Sequence, residues 1–402
     1  MNMRRHHATR MLLALLTTTT MPLEGNALPR SSTDTDIIAR FDSLAHGSLP
    51  ASIGMPTLDR TGARRLSTLV VLAPLRGSVT FPDESAATLY DAMLDGKVAV
   101  VTRSDQAVDI SAVTEDGVDV VTIDADTPTT GHTHHVPASR LASPGEGSPR
   151  RRRSSTYEFD GNVDQASEPP VAMEMADPVA PLQIRLFLHD DVRASRIRAI
   201  HSDYVAWWLR DMEANILPAH APINVVYLQA IPGISDQPYG TSASMTSWLK
   251  AAEAYAASRG LRRTWKDKYL LLTNGLPAKG LLGQAVPATG VAMATVSGPY
   301  TVIAHELGHL FGAEHDSAEW RLSGWWACRT NMYFNETSLL ANCYEYSKAN
   351  IASIQRHANF KGYLPPHLTG AGARPATPAP EATAGGLPGP LLGGSPSLNE
   401  AP

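Results

Sequence analysis

The chain has 402 residues, with 34 Lys+Arg against 39 Asp+Glu and a net charge of −5. It is long enough for one large domain or two ordinary ones, and it carries no extended basic face, which excludes an obvious nucleic-acid binder. Only two cysteines, Cys328 and Cys343, exclude a disulfide-built miniprotein, and no apolar run approaches the roughly 18 residues of a membrane-spanning helix.

In chain order, residues 1–27 read as an export signal. Arg4 and Arg5 precede a short apolar core, Met11–Leu16, and Gly25 and Ala27 are small residues suited to cleavage after Ala27. The chain is therefore expected to be secreted. Residues 28–153 read as a small β-rich pro-domain. Apolar runs at 69–72, 98–101 and 118–123 predict strands, although their alternation is incomplete. The cluster His132, His134 and His135 is expected in a solvated polar loop. Arg150, Arg151, Arg152 and Arg153 follow a Gly/Ser/Pro-rich approach. They are either a solvated charge run or, as the change of composition favours, a processing site. Residues 154–181 are proline-broken and read as a linker.

From 182 to 365 the pattern is α+β. A strand at 182–188 precedes helical spacing over 193–216, with Ile197, Ile200, Tyr204, Trp207, Trp208 and Met212 recurring at three and four. Strands at 223–228, 268–273, 281–285 and 291–296 and a helix at 242–258 complete a twisted mixed sheet with helices packed on it. The tail, 366–402, is rich in Pro, Ala and Gly and cannot bury enough apolar surface to order itself.

The chemistry gathers at 305–316, His-Glu-Leu-Gly-His-Leu-Phe-Gly-Ala-Glu-His-Asp. His305 and His309 are four apart, so on a helix their rings share one face, as two ligands of a tetrahedral zinc ion require. Glu306 can reach a water on that metal without binding the metal itself, which makes it the candidate general base. Gly312 permits a positive φ that ends the helix and turns the chain, so that His315 returns as a third ligand. Ser297 and Pro299 offer a helix start. With 14 His, 39 Asp+Glu and 30 Gly in the chain, the HExxHxxGxxH string arises by chance with a probability on the order of 10⁻⁴.

That string, followed by Asp316, resembles the zinc signature of the metzincin metalloproteases, specifically the adamalysin/reprolysin branch and related bacterial secreted proteases. The resemblance covers about 182–364. It implies a metzincin-type catalytic domain with an active-site helix and a C-terminal subdomain, His305, His309 and His315 as ligands, and Glu306 as base. It also implies a methionine turn beneath the metal, for which Met332 is the candidate. Three departures stand out. Cys328 lies four residues before Met332 rather than two, Tyr333 and Phe334 do not repeat the tyrosine spacing of some metzincins, and the pro-segment has no cysteine to mask a metal. In an exported chain Cys328 and Cys343 are expected to pair, bracing the Met332 segment. Asp190, Asp191 and Asp203 admit calcium, although capping and solvation are commoner roles. Asn335 begins a glycosylation sequon. Trp320, Trp325 and Trp326 are expected to pack the C-terminal subdomain.

The expected activity is a secreted zinc endopeptidase acting on protein or peptide substrates, made as a proenzyme whose pro-segment assists folding, inhibits, and is removed near Arg153. The alternative is a catalytically silent zinc-stabilised binding protein or adhesin on the same fold. No nucleic-acid partner and no integral membrane association are expected, and oligomeric state is not legible.

Overall fold

The computed structural model describes residues 36–137, 180–217, 222–261, 263–323, 326–333 and 341–359. The expected signal peptide, the basic run Arg150–Arg153, most of the linker, the tail, Trp325 and the sequon at Asn335 lie outside them.

Helix α1 (Ile37–Ala45) is started by Asp36, whose carboxylate accepts the Ala39 amide at 3.0 Å. Seven strands follow: β1 (Ala51–Leu58), β2 (Arg64–Thr80), β3 (Ala86–Leu94), β4 (Lys97–Ser104), β5 (Ala107–Thr114), β6 (Gly117–Asp124) and β7 (Gly131–Pro137). Neighbouring strands from β1 to β7 pair antiparallel, and the meander closes into a barrel where β1 pairs parallel with β7. One face of the strands fills the barrel with Ile53, Met55, Leu69, Val101, Ile110 and Ile123, under Ile37 and Phe41 of α1. The other face is exposed along much of β1 and β2 but largely covered from β4 to β6. Leu89, Val100, Val118 and Val120 belong to a second core shared with the rest of the chain. A strand buried on both faces reads as a nearly continuous apolar run, which explains the incomplete alternation at 98–101 and 118–123. His132, His134 and His135 lie on β7 rather than in a loop. His135 faces Asp119 at 2.9 Å and His134 faces Asp203 at 3.2 Å.

The second unit begins with β8 (Leu182–Leu188) and a helical stretch over 194–216. In that stretch α2 (Ile197–Ile200) and α3 (Ala206–Asp211) alternate with wider π turns at His201–Val205 and Met212–Ile216. Then come β9 (Ile223–Gln229), α4 (Ser244–Ser258), β10 (Asp267–Thr273), β11 (Gly283–Val286), β12 (Val291–Thr295) and α5 (Thr301–Leu310). A small sheet of β13 (Trp320–Ser323), β14 (Trp326–Arg329) and β15 (Ala341–Asn342) and the helix α6 (Lys348–Asn359) complete it. The main sheet runs β9-β8-β10-β12-β11, with β11 antiparallel at the edge and the others parallel. At the opposite edge β2 pairs with β9 through Val79 and Thr80, so the barrel and the sheet are continuous. The molecule is a mixed α/β fold with a large mixed sheet, as the α+β reading requires, but the two units are not separate in the way the composition suggests. Among the described residues no helix is long and apolar enough to cross a membrane. Trp320 is exposed, against the expectation that it packs the C-terminal subdomain.

Candidate metal centre

Helix α5 is buried along its whole length, with Val302, Ile303, Leu307 and Leu310 in the shared core. It begins at Thr301 with Tyr300 at its N-cap. Ser297 bonds Asn274 instead, so the expected serine cap is not the one used. The helix ends as the glycine predicts. Gly312 has φ +80°, its N–H bonds the His309 carbonyl at 2.9 Å, and the Ala313 N–H bonds the Gly308 carbonyl at 2.9 Å. This pair of bonds is a Schellman cap, which satisfies two orphan carbonyls and reverses the chain. The reversal carries His315 back over His305 and His309.

The three imidazoles meet through Nε2. His305 and His315 are 2.9 Å apart there, His309 and His315 3.1 Å, and His305 and His309 3.2 Å. The Nδ1–H of His305 donates to the Asn331 carbonyl at 2.9 Å, and that of His309 donates to the Ala313 carbonyl at 3.0 Å. These bonds place the proton of the His305 and His309 rings on Nδ1 and leave their Nε2 atoms as bare lone pairs. Lone pairs converging on one point repel one another, whereas a cation between them is held by all three. The donor set fits zinc, which takes neutral imidazole nitrogens and keeps a further position for water. Burial holds His305 well below the ordinary histidine range, lowers His309 to about 3 and lowers His315, so all three stay neutral and ready to bind a metal. Among the described residues this is the one group of three or more His, Cys, Asp or Glu able to hold an ion. Asp190, Asp191 and Asp203 do not join in a calcium site. Asp190 bonds Ser235, Asp191 bonds Tyr239 and His189, and Asp203 faces His134 of the barrel.

Glu306 is fully buried beside the triad, against the edge strand. A Cβ at Gly283 would stand 2.2 Å from a Glu306 carboxylate oxygen, so the glycine makes room for that side chain. The Thr295 amide bonds the Leu282 carbonyl at 2.9 Å, and Gly283 lies opposite Ala294. In an antiparallel pair this alternation turns the N–H and C=O of Gly283 away from β12, toward the open edge.

Met332 is fully buried in the turn that runs from Thr330 to Tyr333. A Cβ at Gly308 would come within 2.6 Å of its sulfur and 2.8 Å of the Tyr346 ring. Met332 therefore supports the helix between His305 and His309, and the preceding residue, Asn331, orients His305 through its carbonyl. Cys328 and Cys343 are joined in a disulfide that closes the segment containing this turn. Several groups that build the site had no sequence signal. The carbonyls of Asn331 and Ala313 are backbone atoms. Tyr346 donates to the Ala304 carbonyl at 2.5 Å and accepts from Trp208 at 2.9 Å. Asn350 of α6 accepts from the Glu314 amide at 2.8 Å and donates to the Glu314 carbonyl at 3.1 Å. A cleft of about 730 Å³ lies elsewhere, lined by Lys97, Ser111, Trp207, Asp211, Leu322 and Tyr344, and gathers none of this chemistry.

No family model matches the sequence, and no curated protein matches it. Among solved structures, the crystal structure of metalloproteinase-II from Bacteroides fragilis is similar with a TM-score of 0.52 at 11% identity, over 81% of this chain and 96% of that one. At that identity the likeness is one of fold.

Proposed function

We propose that this chain is a zinc-dependent endopeptidase of metzincin type, secreted and made as a proenzyme. The observation that carries the reading is the convergence of three imidazole Nε2 atoms beside Glu306, a buried carboxylate on the helix that carries His305 and His309, next to the edge strand β11. A structural zinc site has no use for Glu306. A fold like that of a metalloproteinase is in keeping with the proposal.

His305, His309 and His315 would hold the ion, which when bound supplies a Lewis acid for the scissile carbonyl and lowers the pKa of its water. A substrate peptide lies extended along β11 and pairs with the outward N–H and C=O of Gly283. That pairing orients the scissile bond over the triad. Glu306 takes a proton from the attacking water and returns it to the departing amine. Its burial against Gly283 keeps bulk water from competing for that proton.

The test is zinc content and casein hydrolysis, measured side by side on the wild type and Glu306→Gln. Both should bind about one zinc per chain, as a single three-histidine site allows, and only the wild type should cut. Substantial turnover by Glu306→Gln would remove Glu306 as the base. Zinc binding without hydrolysis by the wild type, even after cleavage at the basic run, would favour the binding-protein reading.

A further inference from the structure

The outer face of the barrel, on β3 to β6, is a second buried surface. Its apolar residues Leu89, Val100, Val118 and Val120 share one core with Ile200, Trp207 and Leu209 of the helical stretch and Ile223 of β9. Between them lie polar pairs that span the two units. Asp109 and Asp124 face Arg198, Asp91 faces Arg210 at 2.7 Å, Ser111 donates to the Ser202 carbonyl at 2.7 Å, and Thr102 lies 3.1 Å from His201. His201 is fully enclosed, with Tyr227 on its other nitrogen at 3.0 Å.

Where β2 meets β9 the fit is closest. The buried Glu213 carboxylate accepts the amides of Arg76 at 2.7 Å and Gly77 at 3.2 Å from the barrel, and that of Ile223 at 2.8 Å from its own unit. A Cβ at Gly77 would fall 2.0 Å from the Ile223 carbonyl oxygen, so only glycine lets the two backbones approach. Taking the barrel away would strip Glu213 of two of these donors and bare Trp207 and Ile223 to water. Loss of such partners from a buried charge, together with exposure of a core face, opposes separation far more strongly than a surface contact does. Nothing covalent is needed, since the disulfide lies wholly within the second unit.

We infer that the barrel of residues 37–137 is a permanent partner of the unit that follows it, so that a cut at Arg150–Arg153 yields a stable two-chain protein and not a released pro-domain. This position is compatible with an open substrate edge. The barrel joins the main sheet beside β9, and β11 lies at the opposite edge, five strand spacings from β2, or about 24 Å. The barrel contacts described above all fall on residues 198–226, away from α5 and β11. The inference concerns the fate of the barrel and does not depend on the peptidase assignment; on the proenzyme reading it makes the activating event the cut itself and not removal of the barrel.

The test replaces Arg150–Arg153 in the full chain with the recognition sequence of a specific exogenous protease. After cleavage, size exclusion in native buffer is compared with a denaturing gel. Two bands on the gel with a single native peak at the uncut volume are expected, together with one unfolding transition before and after the cut. A native peak of barrel alone, whether the remainder stays soluble or aggregates, would overturn the inference. A second variant, Gly77→Leu in the same background, should release the barrel on cutting. Its retention there would show that the Glu213 and Ile223 contacts are not what holds it.

Discussion

Asn350 touches none of the three histidines, yet it grips both polar groups of Glu314, the residue before His315. Buried in α6, it fixes the returning chain at the point where a small shift would move His315. Asn350→Ala should cost about 1–3 kcal/mol, because it leaves a buried amide and carbonyl unmet. It should also weaken metal binding roughly 10-fold, as loss of a supporting contact around a ligand typically does. Competitive chelator titration beside a urea melt reads both, and unchanged affinity would show that His315 needs no such support. Gly308 acts through absence. A methyl group there would meet the Met332 sulfur at 2.6 Å, so Gly308→Ala should destabilise by about 1–3 kcal/mol through overpacking. A full-stability Gly308→Ala, judged by its urea midpoint, would mean that the turn under the helix yields easily.

Among the elements, α5 and its cap were readable from the residues, since ligand spacing, apolar faces and Gly312 all lie within one short stretch. The Met332 turn was placed by resemblance alone, because nothing in its local composition says that it folds under a helix some 25 residues earlier. The disulfide makes that placement durable. Replacing both Cys328 and Cys343 by Ser should cost about 3 kcal/mol for a loop near 15 residues. Calorimetry should show the loss in holo and metal-free protein alike; a loss in metal-free protein only would assign the disulfide to preorganising the metal site. The incomplete alternation of β4 and β6 was itself a signal. It marked strands buried on both faces, and the second face belongs to a helical stretch more than 70 residues away.

Across the whole molecule, stability should depend on pH through a pair behind helix α5. Lys268 of β10 is fully buried, 3.2 Å from His357 of α6 and beside Phe311, with Asp267 and Arg263 as the other charges that act on it. Burial lowers Lys268 from 10.5 to about 7 and holds His357 well below the ordinary histidine range. Between about 7 and 10.5 the unfolded chain binds a proton at Lys268 that the folded chain does not. Stability should therefore rise with pH across that window, by at most about 1.4 kcal/mol per unit, and remain at its low value below it. His357 adds a further rise on the acid side, up to the ordinary histidine value. Lys268→Met should flatten the alkaline limb of urea midpoints measured from pH 6 to 10. A wild-type curve already flat there would refute the buried, neutral lysine.

The amino-acid sequence alone marked the candidate ligand set, the base candidate and the helix-ending glycine, because those functions need particular residue types at spacings set by one helix and its cap. It also marked the strands and helices of the second unit, since their periodicity is local. Only the tertiary structure decided which backbone carbonyls orient the histidines, which glycine makes room for Glu306, and that the barrel shares its outer face with the unit beyond it. Those depend on contacts between distant segments, where the deciding atoms are backbone groups or absent side chains, and neither leaves a pattern along the chain.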